Sequence, residues 1–263
     1  MTTKNWQNDI PIDAFVFDCD GTLSKIEGID ELARSNGVGE LVEALTANAM
    51  SKLGISEELY HARLHLVQPK LEQVISVGQE YFQQRTPHIS DVIQLLQRLN
   101  KHVYIVSAGL FQSVEYFGEL LQVPRKNIYA VNAHFDADRK YVDFDRTSPL
   151  IKSAGKRDII TELKKRHPRI VHVGDGLNDY VVYDLVTRFI GFGGVFYREN
   201  IAQGCEYYIK ATSMAPLLPL TLTNDECEAL TFEERELYHQ GLTAIHNQQV
   251  LIKQDLASAL GSQ

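Results

Sequence analysis

The stretch Phe17–Ser24 reads FDCDGTLS, and it directly follows the mostly apolar run Ile12–Val16. That run has the composition of a buried β-strand, so the sequence predicts two carboxylates, Asp18 and Asp20, at the end of a strand. A buried charge without a partner costs several kcal/mol or shifts its pKa. A carboxylate pair at this position therefore indicates a bound cation or a chemical reaction.

The composition narrows the class of protein. The chain has 263 residues, 44% of them hydrophobic and 23% charged, which is typical of a folded globular protein. A formal net charge of -8 argues against binding to nucleic acid or to an anionic membrane, because both need a basic surface. The N-terminus has no apolar signal core, and no stretch is long and apolar enough to span a membrane. Three cysteines without CxxC spacing (Cys19, Cys205 and Cys227) favour a reducing, cytoplasmic location without zinc or disulfides.

Apolar, β-rich runs alternate along the chain with stretches of helical periodicity. This alternation predicts an α/β fold with a Rossmann-like parallel sheet core covered by helices. The predicted strands are Ile12–Phe17, His102–Ser107, Asn127–Val131, Arg169–Gly174, Phe189–Gly191 and Tyr207–Ile209.

The long segment between the first two strands indicates an inserted domain. Residues 25–86 are too many for one crossover helix and show helical patterns, so we expect a small helical cap after strand one. The catalytic core then comprises residues 1–24 and 87–220, with a hairpin at Phe135–Tyr141. Residues 221–263 form a helical C-terminal extension, in which a capping-box pattern at Thr231 and the spacing of Ala244–Leu260 predict two helices and no strand.

The residues that end the predicted strands are the candidates for a site, because ligands bind at the carboxyl edge of an open parallel sheet. The first strand ends in Asp18 and Asp20, the second in Ser107, and the fourth in a segment that contains Asp175 and Asp179. Lys156 stands near a predicted helix start. Mg²⁺ prefers oxygen ligands and can bind carboxylates and a phosphate oxygen at the same time. These residues therefore favour phosphoryl transfer.

These motifs, Asp18-x-Asp20-Gly21-Thr22, Ser107, Lys156 and Gly174-Asp175-x-x-x-Asp179, resemble the four ordered motifs of the haloacid dehalogenase superfamily of phosphohydrolases. Within it, the sequence is most similar to the phosphoserine phosphatase family. That likeness is carried by EGIDELA (27–33), ARLHLVQP (62–69), SAGK (153–156) and IGFGG (190–194).

The resemblance implies a two-step mechanism. Asp18 would attack phosphorus and form an aspartyl phosphate, which divides one hard step into two easier ones. Asp20 would protonate the leaving oxygen and then take a proton from the hydrolytic water. Mg²⁺ would be held by Asp18, the backbone carbonyl of Asp20 and Asp175, and Asp179 would orient metal-bound water.

The resemblance also implies the groups that bind the substrate, a small phosphomonoester. Ser107 and Lys156 would hold the phosphoryl oxygens. In the cap, Glu27 would meet the ammonium of phosphoserine and Arg63 its carboxylate, because an Arg fork fits a carboxylate in a bidentate manner. Asn178 matches a position near the phosphoester.

Departures from the family pattern leave the substrate open. Residues 46–52 are less basic than the family's stretch and lack its paired glycines, Ser56 stands where an aromatic residue is common, and Ala108 replaces a glycine. Another small phosphomonoester, such as phosphoethanolamine or phosphothreonine, is therefore an alternative substrate. Lys152, four residues earlier, would take the role of Lys156 if the motif were aligned differently. The non-enzymatic alternative is a scaffold that works through the C-terminal helices. The oligomeric state stays open.

Overall fold

A sheet of seven strands forms the centre of the computed structural model, which describes residues 6–50 and 56–253. The strands of the protein, in chain order, are β1 (Ala14–Phe17), β2 (His102–Leu110), β3 (Ile128–Val131), β4 (Ala133–Phe135), β5 (Tyr141–Phe144), β6 (Ile170–Gly174), β7 (Arg188–Phe192), β8 (Tyr207–Ile209) and β9 (Val250–Ile252). The helices are α1 (Gly28–Ser35), α2 (Gly39–Met50), α3 (Glu57–Val67), α4 (Leu71–Gln83), α5 (Ile89–Arg98), α6 (Phe111–Leu120), α7 (Gly155–Lys164), α8 (Leu177–Tyr180), α9 (Glu199–Gly204), α10 (Leu217–Thr221), α11 (Asn224–Glu228) and α12 (Phe232–His246).

The strand order is β3-β2-β1-β6-β7-β8-β9, and every pair except β8 with β9 is parallel. The central strand β1 pairs with β2 and β6, with Ala14 opposite His102 and Ile170. All four residues of β1 are buried, as expected for an apolar strand covered on both faces. The predicted α/β class is confirmed, and the predicted strands lie within a few residues of the observed ones.

Helices α1 to α4 lie between β1 and α5, where the sequence predicts the cap. Helix α4 packs closely on α6, and a Cβ at Gly78 would lie 2.7 Å from the carbonyl oxygen of Ser113, so glycine permits that approach. The antiparallel hairpin β4–β5 also contacts this segment. The backbone N–H of Leu71 donates to the carbonyl of Arg139, and that of Tyr141 donates to the carbonyl of Pro69.

The C-terminal extension contains a strand that the sequence analysis missed. Helix α12 begins with the predicted capping box, since the Glu234 N–H donates to Thr231 Oγ1 and the Thr231 N–H donates to Glu234 Oε2. It ends at His246, so the predicted helix Ala244–Leu260 is wrong over residues 247–253, and the rest of that prediction lies outside the described residues. Gln248 has a left-handed φ of 58°, which turns the chain back, and β9 then pairs antiparallel with β8. The prediction of no strand after residue 220 is therefore also wrong, because an open sheet edge outweighed the local helical pattern.

Within residues 6–50 and 56–253, every helix is too short or too polar to traverse a lipid bilayer. All three cysteines are free thiols, as the sequence predicts.

Candidate active site

The carboxyl ends of β1, β2 and β6 meet the first turn of α7 at one edge of the sheet. Asp18 follows β1, Ser107 lies within β2, Asp175 follows β6, and Lys156 is the second residue of α7. Asp179 lies in α8, which begins directly after the β6 loop. All five side chains are buried, although four of them carry a charge in their usual ionised form. The fold therefore brings together the core residues that the sequence predicts.

A buried ammonium group links two of the carboxylates. Lys156 Nζ lies 2.7 Å from Asp18 Oδ1 and 2.6 Å from Asp179 Oδ1. Burial works to lower the pKa of Lys156, but Asp179 and Asp18 outweigh it and raise that pKa above its usual range. Burial opposes ionisation of Asp179, yet Lys156 and His172 hold its pKa below its usual range. Lys152 is exposed and lies 3.9 Å from Glu57, so Lys156 occupies the site.

Three carboxylates form a compact acidic triad. Single oxygens of Asp18, Asp175 and Asp179 all lie within 4.8 Å of one another. Burial raises the pKa of Asp18 strongly, with repulsion from Asp179 as the next cause. Burial also raises the pKa of Asp175 to about 6, although Arg198 opposes the shift. An all-oxygen donor set of this kind fits a hard divalent cation, which would relieve the repulsion. The carboxylate of Asp20 is not part of the triad.

The turn after β1 depends on glycine. Gly21 has a left-handed φ of 67°, a conformation that L side chains rarely adopt. A Cβ at this position would also lie 2.9 Å from Asp175 Oδ2. Gly21 thus lets the loop that carries Asp18 and Asp20 lie directly against the acidic triad.

The side chain of Asp20 lies outside the triad and is held by hydrogen bonds. Its Oδ1 accepts from the backbone N–H of Gly28 at 2.7 Å and from the Tyr81 hydroxyl at 2.6 Å. Its Oδ2 lies 3.4 Å from Ser107 Oγ, which itself accepts from the N–H of Gly109 at 2.9 Å. Burial raises the pKa of Asp20, and the hydrogen bonds from Tyr81 and Gly28 partly offset the rise.

Two adjoining cavities open beside these residues. The larger one, of about 250 Å³, is lined by residues that include Asp18, Lys156, Asp175, Asn178, Asp179 and Arg198. The smaller one, of about 60 Å³, lies between helices α1, α3 and α4 and strand β2, and it is lined mostly by apolar side chains together with Arg63. Asp20, Glu27 and Ala108 line both cavities, so a ligand could extend from one to the other.

The smaller cavity contains a guanidinium group with an unpaired N–H. Arg63 is only 7% exposed, and its Nε has no hydrogen-bond partner. No carboxylate of the described ranges makes an ion pair with it, and its closest aromatic neighbour is the Tyr60 ring, 5.8 Å from the guanidinium carbon. Buried polar groups in folded proteins are almost always paired. Burial raises the pKa of Asp30 and attraction to Arg63 partly offsets that rise, but the free Nε in a cavity lining still indicates an anionic ligand.

Glu27 and Asn178 also line the cavities. Burial raises the pKa of Glu27 well above its usual range, and the nearby Asp20, Asp175 and Asp18 add to the shift. The Oδ1 atom of Asn178 is buried and has no partner in the described structure. Each of these groups could therefore accept a hydrogen bond from a bound ligand.

The structure shows the surroundings of two of the positions at which the sequence departs from the family pattern, Ser56 and Ala108. Ser56 is the N-cap of α3 and accepts from the N–H of Leu59 at 3.2 Å, so a small polar residue starts this helix. The carbonyl of Ala108 accepts from the Tyr60 hydroxyl at 3.0 Å, which joins α3 to the residue after Ser107 in β2. The difference at residues 51 and 52 lies outside the described residues.

Sequence reasoning missed several residues of the site. Arg198 contacts Asp175 through Nε at 3.0 Å and through Nη2 at 2.9 Å. It lies in the loop after β7. Because ligands bind at the carboxyl ends of parallel strands, this position could have marked it as a candidate. Tyr81 and His172 lie within apolar patterns, and nothing in their local sequence distinguishes them from ordinary core residues.

The site and the fold define a class of enzyme. The model of the haloacid dehalogenase-like hydrolases matches residues 12–181, and the chain belongs to that family. The chain is 36% identical to the phosphoserine phosphatase of Bos taurus over 199 residues, which cover 75% of this chain and 88% of the relative. It is 35% identical to the phosphoserine phosphatase of Homo sapiens, with the same coverage.

Solved structures share the fold. A phosphoserine phosphohydrolase-like protein from Francisella tularensis superposes with a TM-score of 0.68 at 23% identity, covering 76% of this chain and 96% of that one. A phospho-aspartyl intermediate analogue of phosphoserine phosphatase gives a TM-score of 0.65 at 24% identity, covering 78% and 96%. These structures show that the chain shares their fold.

Proposed function

We propose that this protein is a Mg²⁺-dependent phosphatase that hydrolyses O-phospho-L-serine to L-serine and phosphate. The observation that supports this substrate is the buried guanidinium of Arg63, whose Nε has no hydrogen-bond partner, in a cavity adjoining the acidic triad. The chain is a phosphoric monoester hydrolase by family, and its curated relatives at 35–36% identity are phosphoserine phosphatases.

The reaction uses residues of the core. Asp18 attacks phosphorus, the bond from phosphorus to the seryl oxygen breaks, and Asp20 gives its proton to that oxygen. Water then attacks the aspartyl phosphate and gives a proton to Asp20, which frees phosphate and regenerates Asp18. Lys156 and Ser107 hold the phosphoryl oxygens. Mg²⁺, held by Asp18, Asp175, Asp179 and the carbonyl of Asp20, would supply positive charge that offsets the phosphoryl charge.

The serine part of the substrate extends into the smaller cavity. Arg63 would pair with the carboxylate, which supplies the partner that its Nε lacks. Glu27 would ionise and receive the ammonium, and the ammonium would lower the raised pKa of that carboxyl. Asn178 would lie beside the phosphoester in the larger cavity.

We also propose the division of the chain into a core of residues 1–24 and 87–220, a cap of residues 25–86 and a C-terminal extension. The helical content of the cap segment supports it. The three free cysteines support a cytoplasmic location.

Phosphate release tests the proposal. Purified protein with Mg²⁺ is assayed on O-phospho-L-serine, phosphothreonine, phosphoethanolamine and para-nitrophenyl phosphate, with Asp18→Asn as the blank. We expect phosphoserine to be preferred by about tenfold or more, equivalent to about 1.4 kcal/mol of transition-state binding. Turnover of other esters without this preference would refute the substrate, and turnover of none would refute the activity and favour the scaffold alternative.

A further inference from the structure

A tyrosine of the cap segment contacts the residue proposed as the proton donor. Tyr81 lies near the end of α4 and is only 1% exposed. Its hydroxyl donates to Asp20 Oδ1 at 2.6 Å, across 61 residues of sequence. A phenol is protonated at neutral pH, so it acts as the donor in this contact. The contact is therefore a short hydrogen bond between the cap segment and the catalytic loop.

The local backbone is shaped to allow this contact. The N–H of Gly28 donates to the same oxygen of Asp20 at 2.7 Å. A Cβ at Gly28 would lie 2.1 Å from the Tyr81 hydroxyl oxygen, so any other residue would displace the phenol. Gly28 thus leaves the space that the Tyr81 hydroxyl needs to reach Asp20.

The two hydrogen bonds distinguish the oxygens of Asp20. Oδ1 receives two short donors, which leaves Oδ2 as the oxygen that can carry and exchange a proton. A Cβ at Gly109 would lie 3.2 Å from Oδ2, and Ser107 Oγ lies 3.4 Å from it, so Oδ2 faces the end of β2. Ser107 is also the proposed ligand of the phosphoryl group.

We infer that Tyr81 is a positioning residue, which holds Asp20 so that Oδ2 delivers the proton to the leaving oxygen of the ester. The inference rests on the proposed phosphatase activity. In the first step, an Asp18 oxygen forms a bond to phosphorus and the bond to the leaving oxygen breaks, with its electron pair remaining on that oxygen. The proton on Asp20 Oδ2 neutralises the resulting alkoxide. In the second step, water loses a proton to the same oxygen.

The way in which kcat/KM depends on the leaving group distinguishes a positioning role of Tyr81 from a general structural role. An alkoxide such as that of serine is a strong base and needs the proton as the bond breaks. para-Nitrophenolate is a weak base that departs without protonation. A misplaced Asp20 should therefore slow the first step for alkyl phosphates and leave it nearly unchanged for para-nitrophenyl phosphate. The ratio kcat/KM reports this step for both esters.

The test compares Tyr81→Phe with wild type in kcat/KM for O-phospho-L-serine and for para-nitrophenyl phosphate. Proton transfer by a placed side chain typically contributes about 10²–10⁴-fold. We expect the variant to lose about tenfold or more on the alkyl ester and less than about threefold on the aryl ester. Tyr104→Phe is the matched control, because Tyr104 is also buried and its hydroxyl lies 2.8 Å from His167 Nε2, away from the site. That variant should keep both values.

Equal losses of Tyr81→Phe on the two esters, or no loss on either, would overturn the inference while the phosphatase activity of the wild type stands. If the wild type hydrolyses neither ester, the proposed function fails instead. Thermal unfolding followed by circular dichroism verifies the fold of each variant. If Tyr81→Phe does not fold, Gly28→Ala displaces the phenol without removing it and should give the same difference between the esters. If folded Gly28→Ala shows no difference between the two esters, the inference is likewise overturned.

Discussion

Replacement of Arg63 by methionine should separate substrate recognition from stability. Methionine keeps much of the length of the side chain and removes the charge. With O-phospho-L-serine, the variant loses a buried charge pair with the substrate carboxylate, and truncation of one such partner costs about 2–5 kcal/mol. At 1.36 kcal/mol per factor of ten, we expect kcat/KM to fall by roughly thirtyfold or more.

Phosphoethanolamine provides the internal control for this variant. It carries the ammonium and the phosphate of phosphoserine but has no carboxylate, so it makes no pair with Arg63. We expect its kcat/KM to change by less than about threefold, mostly in KM. Phosphate release at several substrate concentrations gives both values.

The stability of Arg63→Met follows from the same environment. The buried Nε has no partner, and leaving such a donor unsatisfied costs about 1–3 kcal/mol, which methionine would remove. The contact with the Tyr60 ring is lost, at a cost of about 0.5–1 kcal/mol, and half-buried Asp30 loses the nearby positive charge that partly offsets the rise in its pKa caused by burial. The free energy of unfolding, measured with urea, should therefore stay within about 1 kcal/mol of wild type or rise. Equal losses of kcat/KM on the two esters would contradict recognition of the carboxylate by Arg63. Destabilisation by more than about 2 kcal/mol would show that Arg63 instead stabilises the fold.

Three further predictions concern the core of the site. Lys156→Met leaves buried carboxylates without their cation and should destabilise the protein by about 3–5 kcal/mol and abolish phosphate release, whereas exposed Lys152→Met should change neither quantity in urea unfolding and activity assays. Gly21→Ala forces a side chain into a left-handed conformation beside Asp175 and should cost at least about 1–2 kcal/mol and lower kcat; wild-type unfolding and kinetics would exclude a strained turn. EDTA should abolish turnover and Mg²⁺ should restore it, and Mg²⁺ at 100 times its Kd should raise the free energy of unfolding by about 2.7 kcal/mol; calorimetric curves that are identical with and without Mg²⁺ would argue against a cation at the acidic triad.

Local sequence patterns were enough to predict which core residues the fold brings together. Asp18 and Asp175 each follow a strand whose apolar composition makes it recognisable, and parallel strands bring their carboxyl ends to one edge. The sequence alone left Lys152 as a rival to Lys156, and the buried first turn of α7 distinguishes them.

Contacts between distant elements could not be predicted in the same way. The Tyr81 hydroxyl reaches Asp20 only because α4 returns beside the loop after β1, and tyrosine in an amphipathic helix is usually a core residue. Arg198 reaches Asp175 from a loop beyond β7. The strand β9 is the clearest case, since its sequence is compatible with a helix and only the free edge of β8 makes the extended conformation preferable.

That added strand has a consequence for association between chains. Without β9, the apolar strand β8 would present unpaired backbone N–H and C=O groups at the end of a parallel sheet, and such an edge invites intermolecular β-pairing and aggregation. Strand β9 is only three residues long and is followed by Lys253, two features that make an edge a poor template for a further strand. Strand β9, which lies beyond the residues matched by the family model, thus covers the edge of β8 and leaves a short, charged edge in its place.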